Sequence, residues 1–348
     1  MIKTDIRSLT FDELETFIID NGFPKFRAKQ IFKWLHSGVD RFEDMTNISK
    51  QMRSQLSEIC DIYRVTIYKK FVSKLDGTVK YIFELYDSNF IETVVMKYNH
   101  GYSICVSCQV GCRMGCEFCQ STKSGLVRSL FPGEILAQIL MAQRDLGIRI
   151  SNIVMMGIGE PLDNFDNTVK FLNIVNHPDG INIGYRHISL STCGLVPKIK
   201  ELAKLNLPIT LSVSLHAAFD EKRSKMMPIN RKYSIDKLIA ACKEYQSVTG
   251  RRICFEYSLI SGVNDTEDDA RALFGKLSGI MYHINIIPVN KIDNGVYSAP
   301  DMASVEKFCK KLISFGASAT VRRTLGADIS ASCGQLRSKY EKNRGGSE

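Results

Sequence analysis

The sequence predicts an α/β fold: one barrel-like domain with a parallel sheet and crossover helices, preceded by a small helical module and a short antiparallel β segment. Three observations carry this. From residue 102 onward strand-like and helix-like segments alternate, as in chains of βαβ units. Nearly every strand candidate there ends in a polar or glycine-bearing group, and that edge of an α/β barrel is where active sites sit. Residues 1–60 and 62–95 lack the alternation and read first as helical, then as antiparallel strands.

Bulk properties narrow the class. The 348 residues suffice for one large domain plus a smaller one. A hydrophobic fraction of 44% with 24% charged residues is globular composition and excludes global disorder. The net charge of +9 suits a polyanionic partner without requiring one. There is no signal peptide at Met1-Ile2-Lys3-Thr4-Asp5 and no apolar run of bilayer length, so the expectation is a cytoplasmic protein with no membrane contact. In that reducing setting the 11 cysteines, five of them within residues 105–119, imply metal or chemistry and not a disulfide scaffold.

Taken in order, Phe11-Asp-Glu-Leu-Glu-Thr-Phe-Ile-Ile has apolar residues at helical spacing, and Asn21-Gly22-Phe23-Pro24 ends it. Phe26, Ile31, Phe32, Trp34 and Leu35 give a second helix its apolar face, while Lys25, Arg27, Lys29 and Lys33 add four cations. That run is either a solvated face or a surface for RNA phosphates. Tyr63–Tyr68, Thr78–Leu85 and Phe90–Met96 read as strands around turns such as Asp76-Gly77. The parallel strands are expected at Ser103–Cys108, Asn152–Met156, His187–Leu190, Ile209–Ser214, Arg252–Leu259, His283–Ile287 and Ala319–Arg322. Helices between them are expected at Pro132–Leu146, Val196–Leu205, Ile235–Gln246, Glu267–Leu277 and Ser304–Phe315.

The chemistry concentrates at Cys112-Arg-Met-Gly-Cys116-Glu-Phe-Cys119. Three thiolates at C-x3-C-x2-C suit an iron–sulfur cluster that keeps one iron open for a small molecule, since closed structural sites take four ligands. Structural zinc with Cys108 as fourth thiolate is the alternative. Downstream, Gly157-Ile-Gly159-Glu160-Pro161 is either a tight turn or backbone passing close to a ligand, with Glu160 as an acceptor. Ser191, the Ser214-Leu215-His216 segment and Asn290 each end a strand and could be ordinary structural residues or ligand contacts.

The cysteine loop resembles that of the radical S-adenosylmethionine (SAM) superfamily. Together with Phe26-Arg-Ala-Lys-Gln-Ile-Phe-Lys-Trp-Leu, Glu92-Thr-Val, Cys105-Val-Ser, Met156-Gly-Ile-Gly-Glu-Pro, Leu190-Ser-Thr, Ser214-Leu-His-Ala, Met227-Pro-Ile-Asn and Gly326-Ala-Asp-Ile-Ser-Ala-Ser-Cys-Gly-Gln-Leu, it is similar to the RlmN/Cfr family, from about residue 8 to residue 340. The helical opening looks more like the RlmN branch. The resemblance implies a partial (β/α)6 barrel at 98–335, after a helical RNA-facing domain at 1–60 and an antiparallel segment at 61–97, and before a tail at 336–348. It implies a [4Fe-4S] cluster on Cys112, Cys116 and Cys119, and two SAM molecules per turnover, contacted by Gly159, Glu160, Ser191, Ser214, Leu215, His216 and Asn290. The activity implied is methylation of adenosine C2 in 23S rRNA and in a tRNA anticodon loop; C8 methylation is the alternative within the family. Another class is a zinc-stabilised RNA-binding protein without catalysis.

In the implied mechanism Cys333 is first methylated by one SAM. A radical from the second SAM takes a hydrogen from that methyl, and the methylene radical joins the ring carbon. Glu92 accepts the ring proton. Cys105 then attacks the Cys333 sulfur and leaves a disulfide, a role that needs thiolate character. An electron donor such as flavodoxin or ferredoxin and a monomeric enzyme complete the expectation. The chain departs from the family at Cys108, where serine is usual, at Gln120, and at Ser332, where alanine is usual. Cys60, Cys193, Cys242, Cys254 and Cys309 read as small hydrophobes in or near the core.

Overall fold

The computed structural model of the protein describes residues 3–293 and 295–337. The closing Gly345-Gly346-Ser347-Glu348 lies outside the described residues.

The chain opens as a helical module. A two-residue strand β1 (Thr4–Asp5) pairs in parallel with β2 (Cys60–Asp61), closing the module around α1 (Phe11–Asp20), α2 (Phe26–His36) and α3 (Lys50–Ile59). A capping box starts α1: Thr10 accepts from the Glu13 amide while Glu13 reaches back to the Thr10 amide. Leu14 and Ile18 of α1, Ile31, Phe32 and Leu35 of α2, and Met52 and Leu56 of α3 make a core separate from that of the rest of the chain.

Strands β3 (Val65–Val72), β4 (Val79–Leu85), β5 (Phe90–Tyr98) and β6 (Gly101–Cys105) then form an antiparallel meander. A short ribbon of β7 (Gln109–Gly111) and β8 (Leu126–Ser129) brackets the cysteine loop. From there α4 (Pro132–Leu146), β9 (Ile150–Met155), α5 (Phe165–Asn176), β10 (Ile188–Thr192), α6 (Val196–Lys204), β11 (Thr210–Ser214), α7 (Asp220–Met226), α8 (Ile235–Thr249), β12 (Ile253–Leu259), α9 (Glu267–Lys276), β13 (Tyr282–Pro288), α10 (Met302–Ser314) and β14 (Ala319–Val321) alternate as expected. Strands β6, β9, β10, β11, β12, β13 and β14 pair in parallel in that order, so six β/α units precede a seventh strand.

All ten strands of the meander and the parallel series belong to one sheet, with β14 at one edge and β3 at the other. The sheet does not close on itself, as a partial barrel requires. One core joins strand residues such as Leu190, Val213, Phe255 and Ile284 to helix residues such as Ile135, Leu172, Leu202, Leu238, Leu273 and Leu312. Burial of each such side chain stabilises by about 1.5–3 kcal/mol. Among the described residues no helix is long and apolar enough to cross a membrane.

Two expectations need correction. Strand β6 ends at Cys105 and not Cys108, because the chain beyond it leaves the ladder: Ser107 N donates to Gln138 Oε1 at 2.9 Å, and Cys108 N donates to Ile158 O at 2.9 Å. Helices α5 and α7 are additional; α7 is short and mostly charged, so its sequence carries little apolar periodicity. The basic run at Lys25–Lys33 lies on the surface and is partly paired there. Lys29 and Lys33 both pair with Asp179, at 3.0 and 3.5 Å, and Lys25 pairs with Glu15 at 2.9 Å.

Those two lysines therefore help dock the module onto the barrel. Phe11 stacks on His177 with ring centroids 4.6 Å apart, and Lys170 meets Glu13 at 2.7 Å. His36 is buried and accepts from the Ile181 amide at 3.1 Å; burial pushes its pKa down to about 3, which keeps it neutral and able to accept. A Cβ on Gly180 would lie 2.6 Å from the His36 ring. Gly180→Ala is therefore expected to destabilise the protein by about 1–3 kcal/mol, read as a lower midpoint in urea unfolding, whereas Asp179→Asn at the exposed ion pairs should cost less than about 1 kcal/mol.

Candidate functional site

The loops after the parallel strands enclose a cleft of about 930 Å³, open mouth included. Its wall brings together Cys112, Cys116, Cys119, Gly159, Glu160, Ser191, Ser214, His216, Asn290 and Cys333, ten of the thirteen residues expected from sequence. The remaining three, Leu215, Glu92 and Cys105, do not line it.

The cysteine loop is set by local geometry. Gly111 has φ +76°, and a Cβ there would sit 1.8 Å from the Gly125 carbonyl, so only glycine lets β7 and β8 approach. Cys112 N donates to that carbonyl at 3.1 Å, Cys119 N donates to Cys116 O at 3.0 Å, and Glu117 N donates to Met226 O at 3.0 Å. Burial pushes all three thiols up, Cys112 to about 12, so ligation must displace their protons. Three thiols on one wall, with Glu160 beside them, fit a cluster held by three cysteines. Cys108 faces away: it is 2% exposed, packs in the main core and puts its sulfur 3.7 Å from Ile158 O. The zinc alternative loses its fourth thiolate in this way. Cys193 does the reverse, lining the cleft in the same apolar cluster as Cys116.

Glu160 is buried and already oriented. Its Oε2 accepts from Cys193 N at 2.7 Å and its Oε1 from Leu162 N at 3.0 Å. Gly159, φ +105°, is required by protein packing: an added Cβ would lie 2.6 Å from Gln109 Cβ. His216 sits in the left-handed region at φ +58°, held by Asn264, whose amide donates to its carbonyl at 2.7 Å. Its Nδ1 accepts from Ser258 N at 2.8 Å, which places the ring proton on Nε2; burial pushes the pKa down to about 3, so the ring stays a neutral donor.

Behind these loops lies Arg223, 1% exposed. It donates to the carbonyls of Leu215 at 3.0 Å, Cys193 at 2.7 Å and Ser214 at 3.0 Å, and to Asn230 Oδ1 at 2.9 Å. Leu215 does not line the cleft: its side chain is fully buried in the core and its carbonyl serves Arg223. It also gives the Met227-Pro-Ile-Asn230 motif a physical role.

Cys333 is exposed on the cleft, and its carbonyl accepts from Asn290 Nδ2 at 3.0 Å. The segment bearing it is anchored to the cysteine loop through Gln120 N, which donates to Gly334 O at 2.7 Å. Leu336 and Arg337, expected in a tail, are anchored too: Leu336 is buried, and Arg337 N donates to Glu92 Oε2 at 3.2 Å. Glu92 is fully buried on β5, with Lys80 Nζ 3.4 Å from Oε1, and burial pushes its carboxyl up to about 7. Cys105 ends β6 in a small apolar cluster with Ala331 and Leu336. It is expected to carry thiolate character but does not: burial first, then the neighbouring Cys333, pushes its thiol up to about 12. Sequence reasoning missed Arg322 and Glu256, both on the cleft wall; the only available signals were a charged residue just after one strand and a charged residue inside another.

The comparisons agree with this architecture. Residues 106–274 match the radical SAM superfamily, and residues 4–62 match the ribosomal RNA large subunit methyltransferase N-terminal domain. A protein of Alkaliphilus oremlandii named "Probable dual-specificity RNA methyltransferase RlmN" is 54% identical over 343 residues, 99% of this chain and 100% of the relative. A protein of Clostridium novyi with the same name is 52% identical over 340 residues, 97% of this chain and 99% of the relative. The crystal structure of a radical SAM methyltransferase from Sphaerobacter thermophilus aligns with a TM-score of 0.92 at 41% identity, covering 96% of this chain and 99% of that one.

Replacing Arg223 by methionine strands the carbonyls of Cys193, Ser214 and Leu215. The expected cost is roughly 3 kcal/mol, read by urea unfolding; a variant as stable as the parent would refute the anchoring role.

Proposed function

This chain belongs to the RlmN family of radical SAM methyltransferases, and from that premise we propose that it methylates C2 of adenosine in 23S rRNA and in tRNA by covalent catalysis through Cys333. The observation that carries the reading is placement. An exposed cysteine shares the cleft of the three-cysteine loop, while a buried carboxyl with a raised pKa and a second cysteine lie under the same segment.

Cys112, Cys116 and Cys119 would hold the [4Fe-4S] cluster, and Glu160 would accept from the ammonium of SAM. When bound, the cluster and SAM supply the electron and the hydrogen abstraction that start radical chemistry. The chain's own residues do the rest. The Cys333 sulfur takes a methyl from one SAM by displacement and releases its proton. After hydrogen abstraction from that methyl, its carbon bonds to the electron-poor ring carbon, leaving RNA attached to Cys333. Glu92 accepts the ring proton while the adduct gives up its unpaired electron to a one-electron acceptor of the iron–sulfur or flavin class, and the proton-accepting role is matched by a carboxyl that titrates near neutrality. Cys105 then attacks the Cys333 thioether sulfur, the sulfur–carbon bond breaks with its electron pair going to the methylene carbon, that carbon takes up the proton given up by the Cys105 thiol to become the methyl group, and the two sulfurs end as one disulfide. That disulfide must be reduced before the next turnover. Its high pKa keeps Cys105 a resting thiol, which protects it from adventitious oxidation until Cys333 is loaded.

The helical module supports an RNA substrate through the family it matches, although two of its lysines serve docking. The dual specificity in the relatives' name supports two RNA substrates.

Nucleoside mass analysis of RNA treated with anaerobically reconstituted enzyme, SAM and a reductant should yield 2-methyladenosine; 8-methyladenosine would overturn the C2 assignment. Cys333→Ala should keep its iron and lose methyl transfer, and Cys105→Ala should accumulate RNA covalently on Cys333 in denaturing gels. Below its pKa of about 7 Glu92 is protonated and cannot accept. The single-turnover rate should therefore fall about tenfold per pH unit below that value and level off above it, and a flat profile would remove Glu92 from the role.

A further inference from the structure

One buried acceptor on the cleft wall is unused by the scheme above. Glu256 lies on β12, paired in register with Ser214 of β11 and with Asn285 of β13. It is 3% exposed and shares the cleft wall with Ser214, His216 and Asn290. Its Oε1 accepts from Asn285 Nδ2 at 2.9 Å. Its Oε2 is buried and makes no hydrogen bond of good geometry among the described residues, although the Ser212 hydroxyl on β11 lies close to the carboxyl. Arg322 Nη1 stands 3.7 Å from that oxygen, near enough to attract it and too far to donate.

A buried carboxylate oxygen without a donor is costly, so an occupant of the cleft that donates to it gains more than the usual hydrogen bond. The nearby guanidinium narrows the donor, because a second cation would be repelled there. Glu160, with two backbone amides already fixing it, is the better place for an ammonium. Only one oxygen of Glu256 is open, which suits a single neutral donor. An acidic side chain of an α/β sheet that takes one ribose hydroxyl is a recurrent solution in nucleotide sites.

We propose that Glu256 Oε2 accepts a hydrogen bond from a ribose hydroxyl of an adenosine moiety bound in the cleft. The adenosine is that of SAM or that of the RNA target. The inference rests on the functional reading above for the RNA source alone; the SAM source needs only the family assignment.

The test is equilibrium binding to anaerobically reconstituted enzyme, with Glu256→Leu and Glu256→Gln as variants. The probes are SAM and an RNA hairpin with one loop adenosine, each also measured as its form lacking the 2′-hydroxyl. Loss of a hydrogen bond to this buried carboxyl oxygen should weaken the relevant probe about tenfold or more in Glu256→Leu, and less in Glu256→Gln, which keeps an acceptor. Weakening confined to SAM assigns its ribose; weakening confined to RNA assigns the target nucleotide. Binding of both probes within about twofold of the parent by Glu256→Leu overturns the proposal. Should Glu256→Leu fail to retain iron, Glu256→Gln decides, and unchanged binding of both probes by it overturns the proposal equally. Failure of the RNA reading looks different, since the parent enzyme would then bind SAM and not the hairpin.

Discussion

A single buried guanidinium organises the cleft. Arg223 sits beneath the loops that follow β10 and β11 and is satisfied by three backbone carbonyls and one side-chain amide. A buried charge is tolerated only when its donors are matched, so these carbonyls must occupy fixed positions. Two of them belong to Ser214 and Leu215, next to His216 in its left-handed conformation, and the third belongs to Cys193, whose amide orients Glu160. Carboxylate, histidine and serine therefore reach the cleft in one arrangement set from behind. Burial works against the Arg223 charge, so the four matched acceptors are what hold it in place.

The open sheet depends on a second set of contacts. The segment after β14 runs from one sheet edge to the hairpin at the other. Ser73 donates to Asp328 at 2.7 Å, Gly326 N donates to Asp76 Oδ2 at 2.8 Å, and Lys80 donates to the Ser330 carbonyl at 3.2 Å. Beyond Cys333 the same segment is tied to the cysteine loop, and its cover buries Cys105 and Glu92. Held at both ends, with left-handed residues at Gly326, Ser330 and Gly334 between the anchors, Cys333 is carried on a short exposed span. Arg322 adds a charge contact to this region, its Nη1 lying 3.7 Å from Glu256 Oε2.

Much of this was legible in residues alone. The alternation from residue 102 onward and the polar strand ends predicted the parallel order and the face that carries the cleft, because period and turn chemistry are local properties. Helix α4 was predicted end to end: Pro132 opens it and Gly147, at φ +62°, closes it. The cysteine spacing pointed to three thiols on one surface. What the residues alone did not show was a partner lying far along the chain. Lys29 and Lys33 pair with Asp179, some 150 residues away. Leu215 sits inside a ligand-like motif, yet its neighbours turn its side chain into the core.

By itself the sequence determined the fold class, the family and which residue types carry the chemistry, since spacing and motif order are written along one dimension. Only the tertiary structure decided which thiols share the cleft. Cys108 and Cys193 are alike in sequence, but one is drawn into the core and the other faces Cys116. It also decided protonation, because a carboxyl near 7 on Glu92 and a thiol near 12 on Cys105 follow from burial. Burial depends on everything that packs around a group, and that is not present in any one stretch of chain.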